Sequence, residues 1–104
     1  MDTKYKEHVK ILKALSDETR IQIVETLLDG EFCACKILEN FNITQPTLSY
    51  HMKILTECGL INAKREGAWM KYSLNKQNLE AVKNLFNSLN IIISQDNKEN
   101  CLSC

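Results

Sequence analysis

The spacing of apolar residues along the chain changes twice, and these changes limit the folds that the chain can adopt. Up to Gly59, apolar residues recur three and four positions apart, as they do on helices. Between residues 61 and 74 they alternate with polar residues, in two runs separated by Glu66 and Gly67, the pattern of a β-hairpin. Over residues 76–93 the helical spacing returns. The order predicts a mainly α-helical domain with one hairpin before its last helix.

The first two helices are delimited by capping signals. Asp17 follows Ser16 at a position typical of a helix N-cap, and Gly30 is typical of a helix C-terminus. The predicted apolar stripes are Tyr5, Val9, Leu12 and Leu15 in the first helix and Ile21, Val24, Leu27 and Leu28 in the second. The apolar face of residues 5–15 is expected to contribute to a dimer interface.

Two further helices precede the hairpin. A short one is predicted over residues 33–40, with Ile37, Leu38 and Phe41 towards the core. Thr44 is a good N-cap for the next, and Pro46 is tolerated in its first turn. Two helices joined by a short turn form a helix-turn-helix. With the hairpin they predict a winged helix-turn-helix of order α1-α2-α3-α4-β-β-α5, whose fourth helix buries Leu48, Met52 and Leu55.

The length of 104 residues predicts one domain. We assign DNA binding and dimerisation to residues 1–93 and regard residues 94–104 as a polar, cysteine-containing tail. No apolar run reaches the ~18 residues of a membrane span, and the N-terminus lacks a secretory segment, so a cytoplasmic location is expected. A narrow apolar strip predicts a partner helix and hence a homodimer; its members are Leu79, Val82, Phe86, Leu89 and Ile93.

The formal net charge is zero, yet the charges are unevenly distributed. Residues 44–76 carry five basic and two acidic side chains, a net of +3. A local positive excess on the predicted fourth helix and hairpin favours an anionic partner such as double-stranded DNA.

Polar side chains on the exposed side of the fourth helix are predicted to contact DNA. Gln can bond adenine bidentately, and Ser, Thr and Tyr can reach phosphates or base edges. Each assignment has an alternative without DNA contact. The polar face of the helix could simply be solvated, His51 could pack or cap, and the charges on the wing could be ordinary solvated strand residues. Trp69 is predicted to be a half-buried strand aromatic. The predicted DNA-binding residues are Gln45, Thr47, Ser49, Tyr50, His51 and Lys53 on the helix and Lys64, Arg65 and Lys71 on the wing.

Five cysteines are an odd number, which argues against a disulfide framework in a reducing compartment. The close spacings favour metal binding, with Cys33, Cys35, Cys101 and Cys104 as predicted ligands and Cys58 as a packing residue. On a regular helix, positions i and i+2 lie ~200° apart, so Cys33 and Cys35 would bind one ion only if the first turn frays. A redox sensor that forms a disulfide remains an alternative. A thiol enzyme is disfavoured, because His51 and Cys58 would lie ~10 Å apart along their helix.

Five segments together resemble the ArsR/SmtB family of metalloregulatory repressors, in its arsenic- and cadmium-responsive branch. They are residues 15–20 (LSDETR), 31–35 (EFCAC), 44–55 (TQPTLSYHMKIL), 59–61 (GLI) and 65–69 (REGAW). The resemblance implies a homodimeric repressor, not an enzyme, that leaves its operator DNA when a metal or metalloid binds.

The resemblance also implies which inducers to expect: As(III) or Sb(III), with Cd, Pb or Zn as alternatives. Arsenic-type relatives often carry a third cysteine at the position of Leu38, and residues 76–93 lack the His and Asp ligands of the zinc-sensing branch. The third ligand therefore remains open among Cys101, Cys104, Cys58 and an exogenous thiol.

Overall fold

A computed structural model describes the backbone of residues 5–96 and the side chains as far as Leu89. The predicted winged helix-turn-helix order is confirmed, with one short strand added. The elements are α1 (Lys6–Leu15), α2 (Glu18–Leu27), β1 (Phe32–Cys33), α3 (Ala34–Glu39), α4 (Gln45–Glu57), β2 (Ile61–Glu66), β3 (Trp69–Leu74) and α5 (Lys76–Asp96).

The predicted helix caps are present. The Asp17 carboxylate accepts the Arg20 backbone N–H at 3.1 Å, and the Thr44 hydroxyl accepts the Thr47 N–H at 3.3 Å. Each cap satisfies a donor that a first helical turn otherwise leaves without a partner. These two caps fix where α2 and the recognition helix α4 begin.

Gly59 makes the turn from α4 into the hairpin. Its φ of +87° lies in the left-handed region, and a Cβ there would lie 3.0 Å from the Asn78 amide nitrogen. That nitrogen donates to the Gly59 carbonyl at 2.7 Å, so the same turn also anchors the start of α5. A side chain at this position would strain the backbone and disturb the α5 contact.

The core lies between the first four helices and the inner face of the sheet. The predicted buried face of α4 is confirmed, and the hairpin and α5 each add side chains to it. Its large members are Ile11, Ile23, Val24, Leu27, Ile37, Leu48, Met52, Leu55, Leu60, Ile61, Leu74 and Val82.

The apolar stripe of α1 is only partly covered: Tyr5 and Val9 are exposed, and the helix buries Ile11 and Ala14. The stripe predicted for α2 is partly wrong. On α2 the side chains of Ile21 and Leu28 are exposed, and Ile23 is buried in their place. Apolar residues occupy more than one side of both helices, so periodicity alone does not select the buried side.

The sheet contains a strand that the sequence did not predict. Its order is β1-β3-β2, and both pairings are antiparallel. β1 pairs Phe32 with Tyr72 and Cys33 with Lys71. The third helix consequently begins at Ala34 rather than at Cys33. Two residues are too few to show an alternating pattern, and this strand therefore gives no periodic signal.

Helix α5 extends to Asp96, so the predicted domain boundary at residue 93 falls inside a helix. Cys101 and Cys104 lie outside the described residues. Val82 is buried, whereas Phe86 and Leu89 are exposed. Within residues 5–96, none of the helices combines the length and hydropathy that a membrane span requires.

The Asp17 cap generates a stability prediction. The Arg20 backbone N–H holds the pKa of Asp17 below its ordinary value of 3.8. We expect Asp17→Ala to lower the free energy of unfolding by ~1 kcal/mol at pH 7, and Asp17→Asn to lower it less, because Asn also caps helices well. Urea unfolding at a fixed protein concentration measures both.

The sign of the pH dependence follows from the lowered pKa. The contribution of the Asp17 carboxylate is complete above its unfolded-state pKa and disappears as the pH falls through the lower folded-state pKa. The difference in stability between wild type and Asp17→Asn should therefore shrink below about pH 4. A difference that stays constant from pH 7 to the acid limit would contradict the proposed carboxylate cap.

Candidate metal site and DNA-binding surface

The thiols of Cys33 and Cys35 converge because the two residues have different backbone conformations. Cys33 ends β1 and is the N-cap of α3, with an extended backbone of φ −77° and ψ 159°. Cys35 lies inside the first turn of α3. Their Sγ atoms are 2.7 Å apart. The prediction that one ion could bind both only after the helix frays is wrong, because it assumed a helical backbone at Cys33.

This distance brings both sulfurs within reach of one ion. Two thiolates bound to one ion at ~2.3 Å each can lie at most ~4.6 Å apart. Cys33 is half-buried and Cys35 is exposed, so an ion can approach from solvent. Thiolates are the soft ligands that thiophilic ions prefer.

Hydrogen bonds divide the acidity unequally between the two thiols. The hydrogen bond between the two sulfurs lowers the pKa of Cys33 and raises that of Cys35. The Lys36 backbone N–H, 3.4 Å from the Cys33 sulfur, lowers the pKa of Cys33 further. Of the two thiols, Cys33 therefore gives up its proton more readily, and the thiolate is the form that binds ions.

No third ligand joins the pair within the described part of the chain. Residues 5–96 hold no group of three or more His, Cys, Asp or Glu side chains that could bind a metal. Cys58 is buried, and its thiol donates to the Leu55 carbonyl at 3.3 Å, so its predicted packing role is confirmed. The predicted ligands Cys101 and Cys104 lie outside the described residues.

The thiol pair is joined to the wing through the sheet. Cys33 is the pairing partner of Lys71 in β3. The Lys71 ammonium lies 3.0 Å from one carboxylate oxygen of Glu66, and the Lys64 ammonium lies 3.0 Å from the other. These contacts lower the pKa of Glu66 and raise the pKa values of both lysines. Cys33 is thus linked by backbone pairing to Lys71, and Lys71 is linked through Glu66 to Lys64.

The outer face of α4 is polar and accessible. As predicted, Gln45, Thr47, Ser49 and Tyr50 are exposed, and Lys53 is exposed as well. On the wing, Lys64 and Arg65 are exposed, and Lys71 is partly so. The exposed side chains of α4 and of the hairpin are therefore of the types that contact phosphates and base edges.

His51 is the exception among the predicted DNA contacts. It is only 8% exposed, so its predicted place on the outer face is wrong. Residue 51 lies three positions after Leu48 and four before Leu55, and it therefore shares their buried face. Its Nδ1 atom is 3.1 Å from the Arg20 guanidinium. Because arginine only donates, Nδ1 is the acceptor, and the bond connects α2 to α4.

A cleft of about 360 Å³ lies between α3, α4 and the wing. Cys35 and Leu38 line it from α3, Gln45 from α4, and Arg65 and Trp69 from the wing. Trp69 is 56% exposed, more than the half-buried position predicted for it. Sequence reasoning missed the cleft because its walls come from three segments whose juxtaposition depends on the tertiary fold.

A helix-turn-helix with an exposed polar second helix and a basic wing defines a DNA-binding transcriptional regulator, not an enzyme. The profile described as "Bacterial regulatory protein, arsR family" matches residues 17–63. The chain is also 41% identical to an arsenical resistance operon repressor of Staphylococcus aureus, over 93% of this chain and 90% of that protein. It belongs to the ArsR family of regulators.

Two further similarities extend this comparison. A cadmium resistance transcriptional regulatory protein CadC homolog of Staphylococcus aureus is 35% identical, over 68% of this chain and 60% of that protein. The crystal structure of a possible transcriptional regulator for arsenical resistance superposes with a TM-score of 0.70 at 28% identity, covering 77% of this chain and 82% of that one.

Proposed function

We propose that the chain is a cytoplasmic, homodimeric repressor that binds operator DNA and is released when a thiophilic ion, foremost As(III) or Sb(III), binds Cys33 and Cys35. One observation carries the proposal: the two sulfurs lie 2.7 Å apart on a residue pair that connects α3 to the wing. The 41% identity to an arsenical resistance operon repressor supports arsenic or antimony as the inducer.

The DNA-binding surface consists of the outer face of α4 and the wing. Gln45 and Ser49 stand near the N-terminal end of α4, the part of a recognition helix that contacts base edges. Lys64, Arg65 and Lys71 contact the phosphate backbone from the wing. A two-fold dimer would place two such helices in successive major grooves, ~34 Å apart, and would therefore read an inverted repeat.

The dimer is supported by apolar side chains that the single chain leaves exposed. Tyr5 and Val9 on α1 are 50% and 42% exposed, and Phe86 and Leu89 on α5 are 51% and 48% exposed. Helices α1 and α5 pack against each other. Large exposed apolar patches mark interaction surfaces, and a self-complementary patch on paired helices favours a two-fold dimer.

Release requires the ion to bind more tightly to the form that does not bind DNA. A hundredfold loss of DNA affinity corresponds to ~2.7 kcal/mol of coupling, within the usual allosteric range. The backbone of Cys33 contributes to both β1 and the cap of α3, so a bonded ion acts on the wing and on the helix before α4 at once.

A third ligand completes the site for an inorganic ion. As(III) and Sb(III) favour three thiolates, so Cys101, Cys104 or an exogenous thiol would supply the third. Buried Cys58 is the weakest of the candidates, because its thiol already bonds to the Leu55 carbonyl. The cadmium resistance relative makes cadmium the first alternative inducer, with lead and zinc after it.

The ion-release prediction uses single cysteine variants. Cys33→Ser and Cys35→Ser should bind operator DNA within about twofold of wild type, because neither thiol is among the proposed DNA contacts and serine is close to cysteine in size, yet arsenite should no longer release them. Fluorescence anisotropy of labelled operator DNA measures both effects. Titrations with arsenite, antimonite, cadmium, lead and zinc then rank the inducers.

Cys58→Ser is the matched control, since it removes a thiol outside the proposed site and should respond to arsenite as wild type does. Release of Cys33→Ser at the wild-type arsenite concentration would contradict the proposed site. Loss of DNA binding on oxidation without any ion, reversed by dithiothreitol, would instead support the redox-sensing alternative.

The DNA-binding surface generates a prediction about the ion pairs of the wing. Glu66→Gln should strengthen binding to every DNA sequence and steepen the salt dependence, because it removes the carboxylate that holds Lys64 and Lys71. Gln45→Ala should instead reduce discrimination between operator and random DNA. Anisotropy at several salt concentrations separates the two effects.

The matched control is Glu80→Gln, which makes the same charge change at an exposed position on α5. It should alter DNA binding less than Glu66→Gln does. Equal gains for the two variants would show that total charge, rather than the wing, determines the affinity.

The dimer prediction tests the exposed face of α5. Sedimentation at micromolar concentration should give twice the chain mass of 12.0 kDa. Leu89→Glu should shift the chain to monomer, because a charge buried in an apolar interface has no partner. Asn84→Glu places the same charge on the opposite side of α5 and should remain dimeric. A wild-type monomer would refute the proposed dimer.

A further inference from the structure

Arg20 is a largely buried cation that contacts three segments of the chain. Its side chain is 12% exposed, and its Nε atom donates to the Ala14 carbonyl near the end of α1, at 2.6 Å. Its Nη1 atom lies 3.1 Å from Nδ1 of His51 in α4 and 4.0 Å from a carboxylate oxygen of Asp17, the N-cap of α2. Charged side chains are rarely buried unless they are paired and hydrogen-bonded. Arg20 therefore connects α1, α2 and α4 at one point.

The bond to His51 is made on the inner side of α4. Residues two positions apart on a helix point ~200° apart, so His51 lies opposite Ser49 and Lys53 of the exposed face. The apolar contacts of Leu48 on the inner side are not directional, whereas a hydrogen bond has a preferred length and angle. The Arg20–His51 bond therefore restricts the rotation of α4 about its axis more sharply than apolar packing does.

We propose that Arg20 is a positioning residue for DNA binding, which holds the recognition helix α4 in its DNA-contacting orientation through His51. The proposal rests on the DNA-binding surface proposed above and adds a residue that acts on this surface from the core side. Arginine only donates hydrogen bonds, so Nδ1 of His51 accepts this one only while it carries no proton. Protonation of the ring would remove the acceptor and place a second cation against the Arg20 guanidinium.

The Asp17 carboxylate only partly offsets this repulsion. Protonated His51 would attract the carboxylate, but the carboxylate also pairs with the Arg20 side chain and accepts the Arg20 backbone N–H. The Asp17 side chain is 34% exposed, so solvent screens its charge more than that of the buried guanidinium. Tyr50, on α4 itself, makes an edge-to-face contact with the His51 ring, with the ring centroids 5.3 Å apart. The charge of Arg20 is therefore the dominant one beside this ring.

Two other elements pack against α4, and neither supplies an anion that would stabilise a protonated His51. Lys10 and Lys13 of α1 line a groove together with Glu57 at the C-terminal end of α4, so the net charge there is positive. On the wing, Arg65 of β2 lines the cleft beside the exposed face of α4, which is the side opposite His51. Nearby positive charge opposes protonation of an imidazole, so these surroundings favour the neutral ring that the proposed bond requires.

The pH profile of DNA binding tests the proposal selectively, because His8 and His51 are the two histidines of the chain. Imidazoles take up a proton at about pH 6.5. Since the proposed DNA-binding form requires neutral His51, the wild-type affinity for labelled operator DNA should fall at least ~10-fold between pH 7.5 and pH 5.5 at constant ionic strength. His51→Gln should lose less than about twofold, because an amide oxygen accepts from Arg20 without titrating. His8→Gln is the matched control and should keep the wild-type profile.

A second set of variants tests the bond at pH 7.5, without any titration. His51→Gln should bind operator DNA within about twofold of wild type, whereas His51→Leu should bind at least ~10-fold more weakly, because leucine leaves Arg20 without its acceptor. Arg20→Lys should also lose at least ~10-fold, since one ammonium does not reproduce the contacts of the guanidinium with both Ala14 and His51. Circular dichroism and sedimentation check that each variant keeps the wild-type helix content and oligomeric state.

The outcomes distinguish this inference from the proposed function. Affinity of His51→Gln that falls with pH as the wild-type affinity does, or His51→Leu binding as tight as that of His51→Gln, would overturn the positioning role while the DNA-binding surface stands. A loss of wild-type helix signal in parallel with the loss of binding would also overturn it, because protonation would then act on the whole fold. A wild-type chain that does not prefer operator DNA over random DNA at pH 7.5 would overturn the proposed function and this inference with it.

Discussion

The extended backbone of Cys33 is the constraint on which the candidate site depends. One residue completes β1, caps α3 and carries the more acidic thiol. Were this backbone helical, the two sulfurs would point ~200° apart and β1 would lose one of its two pairings with the wing. The convergence of the thiols and the attachment of the wing therefore have the same local cause.

The wing carries basic side chains whose positions are restrained by ion pairs. Glu66 bonds both Lys64 and Lys71, so two of the cations that face an anionic partner share one carboxylate. Such exposed ion pairs contribute little to the stability of the fold. Their effect is to hold two flexible side chains near fixed positions on the hairpin. Lys71 is also the pairing partner of Cys33, so the ion pairs of the wing and the thiol pair are attached to neighbouring strands.

Local signals predicted the parts of the fold that depend on local chemistry. The cap at Thr44, the buried face of α4 and the turn at Gly67 follow from side-chain type and spacing alone. β1 could not be predicted, because two residues show no period and their partner strand lies far along the chain. His51 was misplaced because its polarity outweighed its position on the buried face, where Arg20 satisfies it.

The free energy of the α3 cap can be compared with the coupling free energy that release from DNA requires. Even complete loss of the Lys36 N–H bond to the Cys33 sulfur, which caps α3, would amount to ~1 kcal/mol. A hundredfold loss of DNA affinity requires ~2.7 kcal/mol, so weakening the α3 cap is insufficient. The remaining coupling must come from elsewhere, and the β1–β3 pairing is the other contact that the same residue makes. We infer that release involves a shift of the wing together with α3, rather than fraying of α3 alone.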